Sequence, residues 1–178
     1  TMPDPAAAAA AFGAAGAVDG TRIVLYASNH PMWATRVWWM LHALGVEAAV
    51  LDGGLAAWRG AGLPLASGPF EHAAGTLTVA PRPDAWADRD AVLAAIGDGE
   101  VCTVNALSPS MYRGDGDRHY GRPGHIAGSV NLPYAALFAD DAQRYADAAT
   151  LREHFDAIGA FERRVIAYCG GGISATCD

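Results

Sequence analysis

Charge is scarce in this chain and unevenly signed. Charged residues fill 17% of its 178 positions, and 19 acidic against 12 basic side chains leave a formal net charge of -7. That surplus works against nucleic acid and anionic membrane surfaces as partners. An anionic substrate needs a local patch of positive potential set against the global field. No apolar run reaches the length of a membrane span, so no membrane partner is expected. No basic segment followed by an apolar core opens the chain, so no signal peptide is visible; the alanine-rich start is helical in character. Cysteine is scarce and odd in number, at 102, 169 and 177. Such a set gives no disulfide framework, and free thiols in the cytoplasm are the expectation. Cys169 and Cys177 have no nearby histidine pair to complete a ligand set, so no metal is expected, nor is an organic cofactor. Apolar residues are abundant instead: 52% of the chain, enough for a globular protein of one or two small domains.

The most informative stretch is the last one, Val165-Ile166-Ala167-Tyr168-Cys169-Gly170-Gly171-Gly172-Ile173-Ser174-Ala175-Thr176. Four apolar residues read as a buried strand. A cysteine, three glycines and a segment able to open a helix follow. Glycines can turn several backbone N–H groups toward one point, and a helix N-terminus adds its unpaired donors. A thiol at the floor of such a cup has its pKa lowered, and the thiolate is the nucleophile. Three glycines beside a merely structural core thiol have no packing reason. Ser174 reads in two ways, as a hydrogen-bond donor to the sulfur or as the cap of the following helix.

Upstream, Asp4-Pro5 and a run of alanines open a helix to about Gly16. A strand is expected over 22–26 and a helix over 32–44, with Gly45 after it. A further strand is expected over 47–51 and a short helix over 55–60. Residues 66–83 read as a linker, with Leu77 and Val79 in a short edge strand. A helix over 87–96 with Asp88 as its cap, a strand over 101–104, a loop over 105–128 and a helix over 147–158 complete the pattern. Strands alternating with helices predict an α/β fold with a largely parallel sheet, whose ligands sit at the carboxyl ends of the strands. Arg22 to Ala27 also echoes Arg164 to Cys169, which suggests two copies of one α/β unit with the cysteine kept only in the second.

These residues carry a resemblance. Trp33-Ala34-Thr35-Arg36-Val37-Trp38-Trp39-Met40-Leu41, Val50-Leu51-Asp52-Gly53-Gly54-Leu55, Gly121-Arg122-Pro123-Gly124-His125-Ile126-Ala127-Gly128-Ser129-Val130-Asn131-Leu132-Pro133 and the Cys169 loop stand in the order found in the tandem-domain rhodaneses. The chain resembles these thiosulfate and 3-mercaptopyruvate sulfurtransferases. The resemblance implies two rhodanese-like domains, each a mostly parallel sheet flanked by helices and both incomplete in this chain. Residues 1–80 correspond to the back part of an inactive N-terminal domain plus linker, and 81–178 to the front part of the catalytic domain. It implies that Cys169 takes a sulfane sulfur from a small anionic donor and passes it, as a persulfide, to a thiol or cyanide acceptor. Gly170, Gly171, Gly172, Ile173 and Ser174 are the expected binding loop. His125 lies in a motif whose role is structural.

One departure stands out. Where the family carries an Asp-Ala-Arg motif and a second arginine four residues on, this chain has Asn105-Ala106-Leu107 and Met111. Arg113, Arg118 and Arg122 are the nearby cations able to take over substrate binding. The same departure favours an alternative, a rhodanese-like module that carries sulfur or binds a partner without turnover of its own. A cysteine phosphatase also uses a strand–cysteine loop–helix cup, but it requires an arginine closing the loop, and here Ser174, Ala175 and Thr176 stand there. The missing Gly-Lys-[Ser/Thr] excludes a P-loop. Cys102 reads as core. Cys177 reads as a packing residue, with resolution of an oxidised Cys169 as the other reading.

Overall fold

A computed structural model describes residues 3–117, 120–139 and 144–178. Arg118, one of the candidate substrate-binding cations, lies outside the described residues.

Local capping chemistry sets the helices. Helix α1 (Pro5–Ala14) begins where the Asp4 carboxylate accepts the Ala6 and Ala7 amides at 3.0 Å each. Asp88 caps α4 (Arg89–Ala95) through the Ala91 amide at 2.8 Å, and Asp147 caps α6 (Ala148–Ala157). Between them lie strand β1 (Ile23–Leu25), helix α2 (Met32–Ala43), strand β2 (Ala48–Val50) and helix α3 (Gly54–Gly60). Strands β1 and β2 pair in parallel. Trp38 fixes α2 against them by donating its indole N–H to the Ala48 carbonyl at 2.9 Å.

The second sheet holds three parallel strands in the order β4 (Val130–Asn131), β3 (Val101–Asn105) and β5 (Arg164–Tyr168). All five residues of β3 are buried, as a central parallel strand requires. Its Cys102 and Val104 form a core with Leu132, Leu137, Phe138 and Cys177, against which Met32 of α2 and Leu151 and Phe155 of α6 pack. Cys102 is therefore a core thiol, 1% exposed, and donates to the Ile158 carbonyl. The cysteine-bearing strand departs from expectation. Ile166 is buried but Val165 is 42% exposed, because β5 is the outer strand of the described three.

Three other expectations change, and one turn forms where none was read. Leu77 and Val79 form no strand. Their segment instead straps across the first sheet's helices, with the Ala80 and Arg82 amides on the Leu44 and Ala43 carbonyls. Within 105–128, read as a loop, lies α5 (Pro109–Arg113), capped by Ser108. A 3₁₀ turn forms at Tyr134–Leu137. After Cys169 the described residues hold a 3₁₀ turn, Ser174–Thr176, in place of the expected helix.

The register sets the location of the site. Asn105 lies opposite both Asn131 and Tyr168, so three strands end on one edge. Cys169 is the next residue on that edge. No helix among the described residues is long and apolar enough to cross a membrane.

Candidate active site

Strand β5 delivers Cys169 to the carboxyl edge, where its thiol is partly accessible and not in a disulfide. Tyr168 steadies the strand end. Its hydroxyl accepts the Ile126 amide at 2.9 Å and meets the Ser129 hydroxyl at 3.0 Å. The Gly124–Ser129 motif is thereby tied to the cysteine strand. His125 stacks on Tyr112, ring centroids 3.8 Å apart, with Nδ1 on the Tyr112 carbonyl.

The loop then folds back over the sulfur. Gly172, at φ +70°, turns its amide to donate to Cys169 Sγ at 3.1 Å. A side chain rarely adopts that φ. Burial raises the Cys169 pKa, but the Ser174 hydroxyl and the amides of Ala175, Ile173 and Gly172 outweigh it, so the thiol lies below its ordinary value. Ile173 and not Ser174 stands at the cap position of the turn, and no side chain caps it; the Ser174 hydroxyl is among the groups that lower the Cys169 pKa. Converging donors of the loop set this electrostatics.

Carbonyls of the same loop are tied down by other groups. The Gly172 carbonyl accepts from Arg36 Nη1 at 2.9 Å. The Ile173 carbonyl accepts from the Thr176 hydroxyl at 2.6 Å and from its amide. The Ser174 carbonyl accepts from the Cys177 amide. Gly170 is needed for a different reason: a Cβ there would stand 2.2 Å from the Tyr120 ring.

The structure brings Cys169, Gly172, Ile173 and Ser174 together, with Gly170 and Gly171 as the span between them. It does not bring Arg113 or Arg122 to the sulfur. Arg113 pairs with Asp115 at 3.0 Å on the surface, and Arg122 is an exposed loop residue. Asn105, where the family motif has its aspartate, turns Oδ1 to the Leu107 amide at 2.9 Å.

Two residues near the cup carry no signal in the sequence pattern for a role there. Arg36 comes from α2 with its guanidinium 5.0 Å over the Trp86 ring. Asp178 has both carboxyl oxygens buried without a hydrogen-bond partner among the described residues. Burial, and then the neighbouring Cys169 sulfur, push that carboxyl up to about 8, so it keeps its proton at neutral pH. Cys177, next to it, is pushed by burial up to about 11 and stays a thiol.

No family model matches the chain. Individual proteins do. A Pseudomonas aeruginosa protein provisionally named a 3-mercaptopyruvate sulfurtransferase is 32% identical over 178 residues, spanning 98% of this chain and 62% of that protein. A Mycobacterium tuberculosis protein provisionally named thiosulfate sulfurtransferase SseB is 35% identical over 159 residues, 86% of this chain and 55% of its own length. The chain thus spans about six-tenths of the curated relatives it matches. Among solved structures, the 3-mercaptopyruvate sulfurtransferase SseA of Escherichia coli superposes with a TM-score of 0.85 at 28% identity, covering 98% of this chain and 66% of SseA. By sequence and by its α/β architecture, the chain belongs with the rhodanese-fold proteins, and its relatives among them are named 3-mercaptopyruvate and thiosulfate sulfurtransferases.

Proposed function

We propose that this chain is the sulfur-carrying part of a tandem-domain rhodanese, with Cys169 as its nucleophile. Residues 1–80 are the back of a first domain without a nucleophile, and residues 81–178 hold the reactive one. One observation carries this reading: a half-buried free thiol that accepts the Gly172 amide at 3.1 Å from a glycine-rich loop folded over it, surroundings that lower its pKa despite burial. A cup of this kind stabilises a thiolate, and equally the terminal sulfur of a persulfide.

The chemistry follows in two steps. The Cys169 thiolate attacks the outer sulfur of thiosulfate; the S–S bond breaks and sulfite leaves with the electron pair. With 3-mercaptopyruvate, the C–S bond breaks and the pyruvate enolate takes up a proton. Either donor leaves a Cys169 persulfide. Cyanide or a thiolate then attacks the terminal sulfur and the Cys169 thiolate leaves, restoring the site. No organic cofactor or metal enters this cycle. Free cysteines at 102, 169 and 177 support a reducing compartment, the cytoplasm.

Leu107 and Met111, in place of the family arginines, favour a second reading in which the module receives sulfur from a partner protein. A steady-state assay of thiocyanate formation separates the two. Turnover with thiosulfate or 3-mercaptopyruvate, absent in Cys169→Ser, supports the enzyme. Turnover only from a protein persulfide supports the carrier. No sulfur transfer from any donor, with the protein folded, overturns both.

A further inference from the structure

Arg36 lies far from Cys169 in sequence yet reaches the back of its loop. Its Nη1 donates to the Gly172 carbonyl at 2.9 Å, and the two residues are separated by 136 positions. The atom it holds matters. The Gly172 carbonyl and the Ile173 amide belong to one planar peptide, and in a trans peptide they point in opposite directions. Holding the carbonyl therefore aims the amide. That amide is among the groups that lower the Cys169 pKa. The preceding amide, of Gly172 itself, is 3.1 Å from the sulfur.

The arrangement is a chain of charge and dipole: guanidinium, carbonyl, peptide, amide, sulfur. A cation on the carbonyl polarises the peptide and strengthens the amide as a donor toward a thiolate. The guanidinium is itself held. It lies 5.0 Å over the Trp86 ring, and the preceding residue, Thr35, meets Thr176 at 2.9 Å on the other flank of the same loop. Helix α2, which follows the first sheet's β1, thus grips the cysteine loop at two points. Of the second-half positions considered for substrate binding, Arg113 is paired with Asp115 and Leu107 and Met111 are uncharged.

We propose that Arg36 is a positioning residue of the Cys169 site: by fixing the Gly172 carbonyl, and with it the residue whose own amide lies on the sulfur, the first half of the chain sets the reactivity of the thiol in the second. The inference rests on the reading of Cys169 as the reactive thiol. Its test is independent of any sulfur donor.

The test is the pH dependence of Cys169 alkylation by iodoacetamide in the full chain, read by mass spectrometry on the peptide containing Cys169 so that Cys102 and Cys177 do not contribute. Arg36→Met, confirmed as folded by circular dichroism, is expected to raise the alkylation midpoint by about half a pH unit or more, the size of a partly buried charge–dipole interaction. Arg36→Lys keeps the charge but not the planar fork over Trp86; its midpoint is expected between parent and Arg36→Met, and it carries the test alone if Arg36→Met does not fold. A midpoint unmoved from the parent in the folded variant overturns the proposal. A raised midpoint in a protein that takes sulfur from no donor would remove the sulfur-transfer reading and leave the role of Arg36 standing. Full sulfur loading with an unmoved midpoint would remove the role of Arg36 alone.

Discussion

The hydroxyls of Thr35 and Thr176, 141 residues apart in sequence, meet at 2.9 Å. One lies on the first turn of α2 and the other in the turn that follows the cysteine loop. The contact joins the two sheets at the candidate site. Thr35→Val is expected to cost about 1 kcal/mol, the net worth of one partly buried hydrogen bond. In a double-mutant cycle with Thr176→Val in urea, the coupling is expected at about 0.5–1 kcal/mol. Strict additivity would show that the contact contributes nothing.

Neighbouring glycines in the loop have different duties. Gly172 is at φ +70°, and its nearest neighbour to an added Cβ is Arg36 Nη1 at 3.5 Å; Gly171 is not at positive φ and has nothing within 4 Å. The cost at 172 is therefore conformational, not steric. Gly172→Ala is expected to lose about 1–2 kcal/mol and to raise the Cys169 alkylation midpoint, because its amide leaves the sulfur. Gly171→Ala should match the parent on both measures. Equal behaviour of the two variants would contradict the loop geometry.

Ser174 is buried, 8% exposed, and its hydroxyl leads the groups that lower the Cys169 pKa against burial. A hydrogen bond to a charged group is worth more than a neutral one. Ser174→Ala should raise the alkylation midpoint by about one pH unit. Ser174→Thr, which keeps the hydroxyl, should recover most of it. An unmoved midpoint in Ser174→Ala would return the residue to a packing role.

How far the sequence told this in advance depends on the range of each interaction. Asp4, Asp88 and Asp147 act within one turn, and the helices they cap were legible. The Cys169 loop is contiguous, so its glycines could be read as a cup. Helix α5 was missed because five residues show no period, although Ser108-Pro109 is a start signal. Leu77 and Val79 alternate like a strand, but the amides that follow them, of Ala80 and Arg82, bond to helix-end carbonyls that no local pattern reveals. Ser174 had two local roles in the sequence, and the turn sets Ile173 at the cap position in its place. Arg36 was visible in a motif, yet its partner is 136 positions away and nothing local points to it.

The buried acids near the site give the stability of the fold a definite pH dependence. Asp178 is raised, by burial first and then by Cys169, from its ordinary 3.8 to about 8. A raised acid stabilises the folded state fully below its unfolded value, and that contribution is lost as pH rises through the native value. Cys177 has the same sign higher up, from 9.0 to about 11, again from burial. Asp178→Asn should therefore gain stability over the parent between about pH 4 and pH 8 and gain no more above it. Urea midpoints across that range check this. A stability difference independent of pH would mean the carboxyl is solvated.

The most direct test of Cys169 as a sulfur carrier is the intact mass of the protein after exposure to thiosulfate or 3-mercaptopyruvate. A gain of one sulfur atom is predicted, reversed by cyanide and absent in Cys169→Ser. A folded protein that gains no sulfur from either donor, or gains it equally in Cys169→Ser, would contradict the assignment.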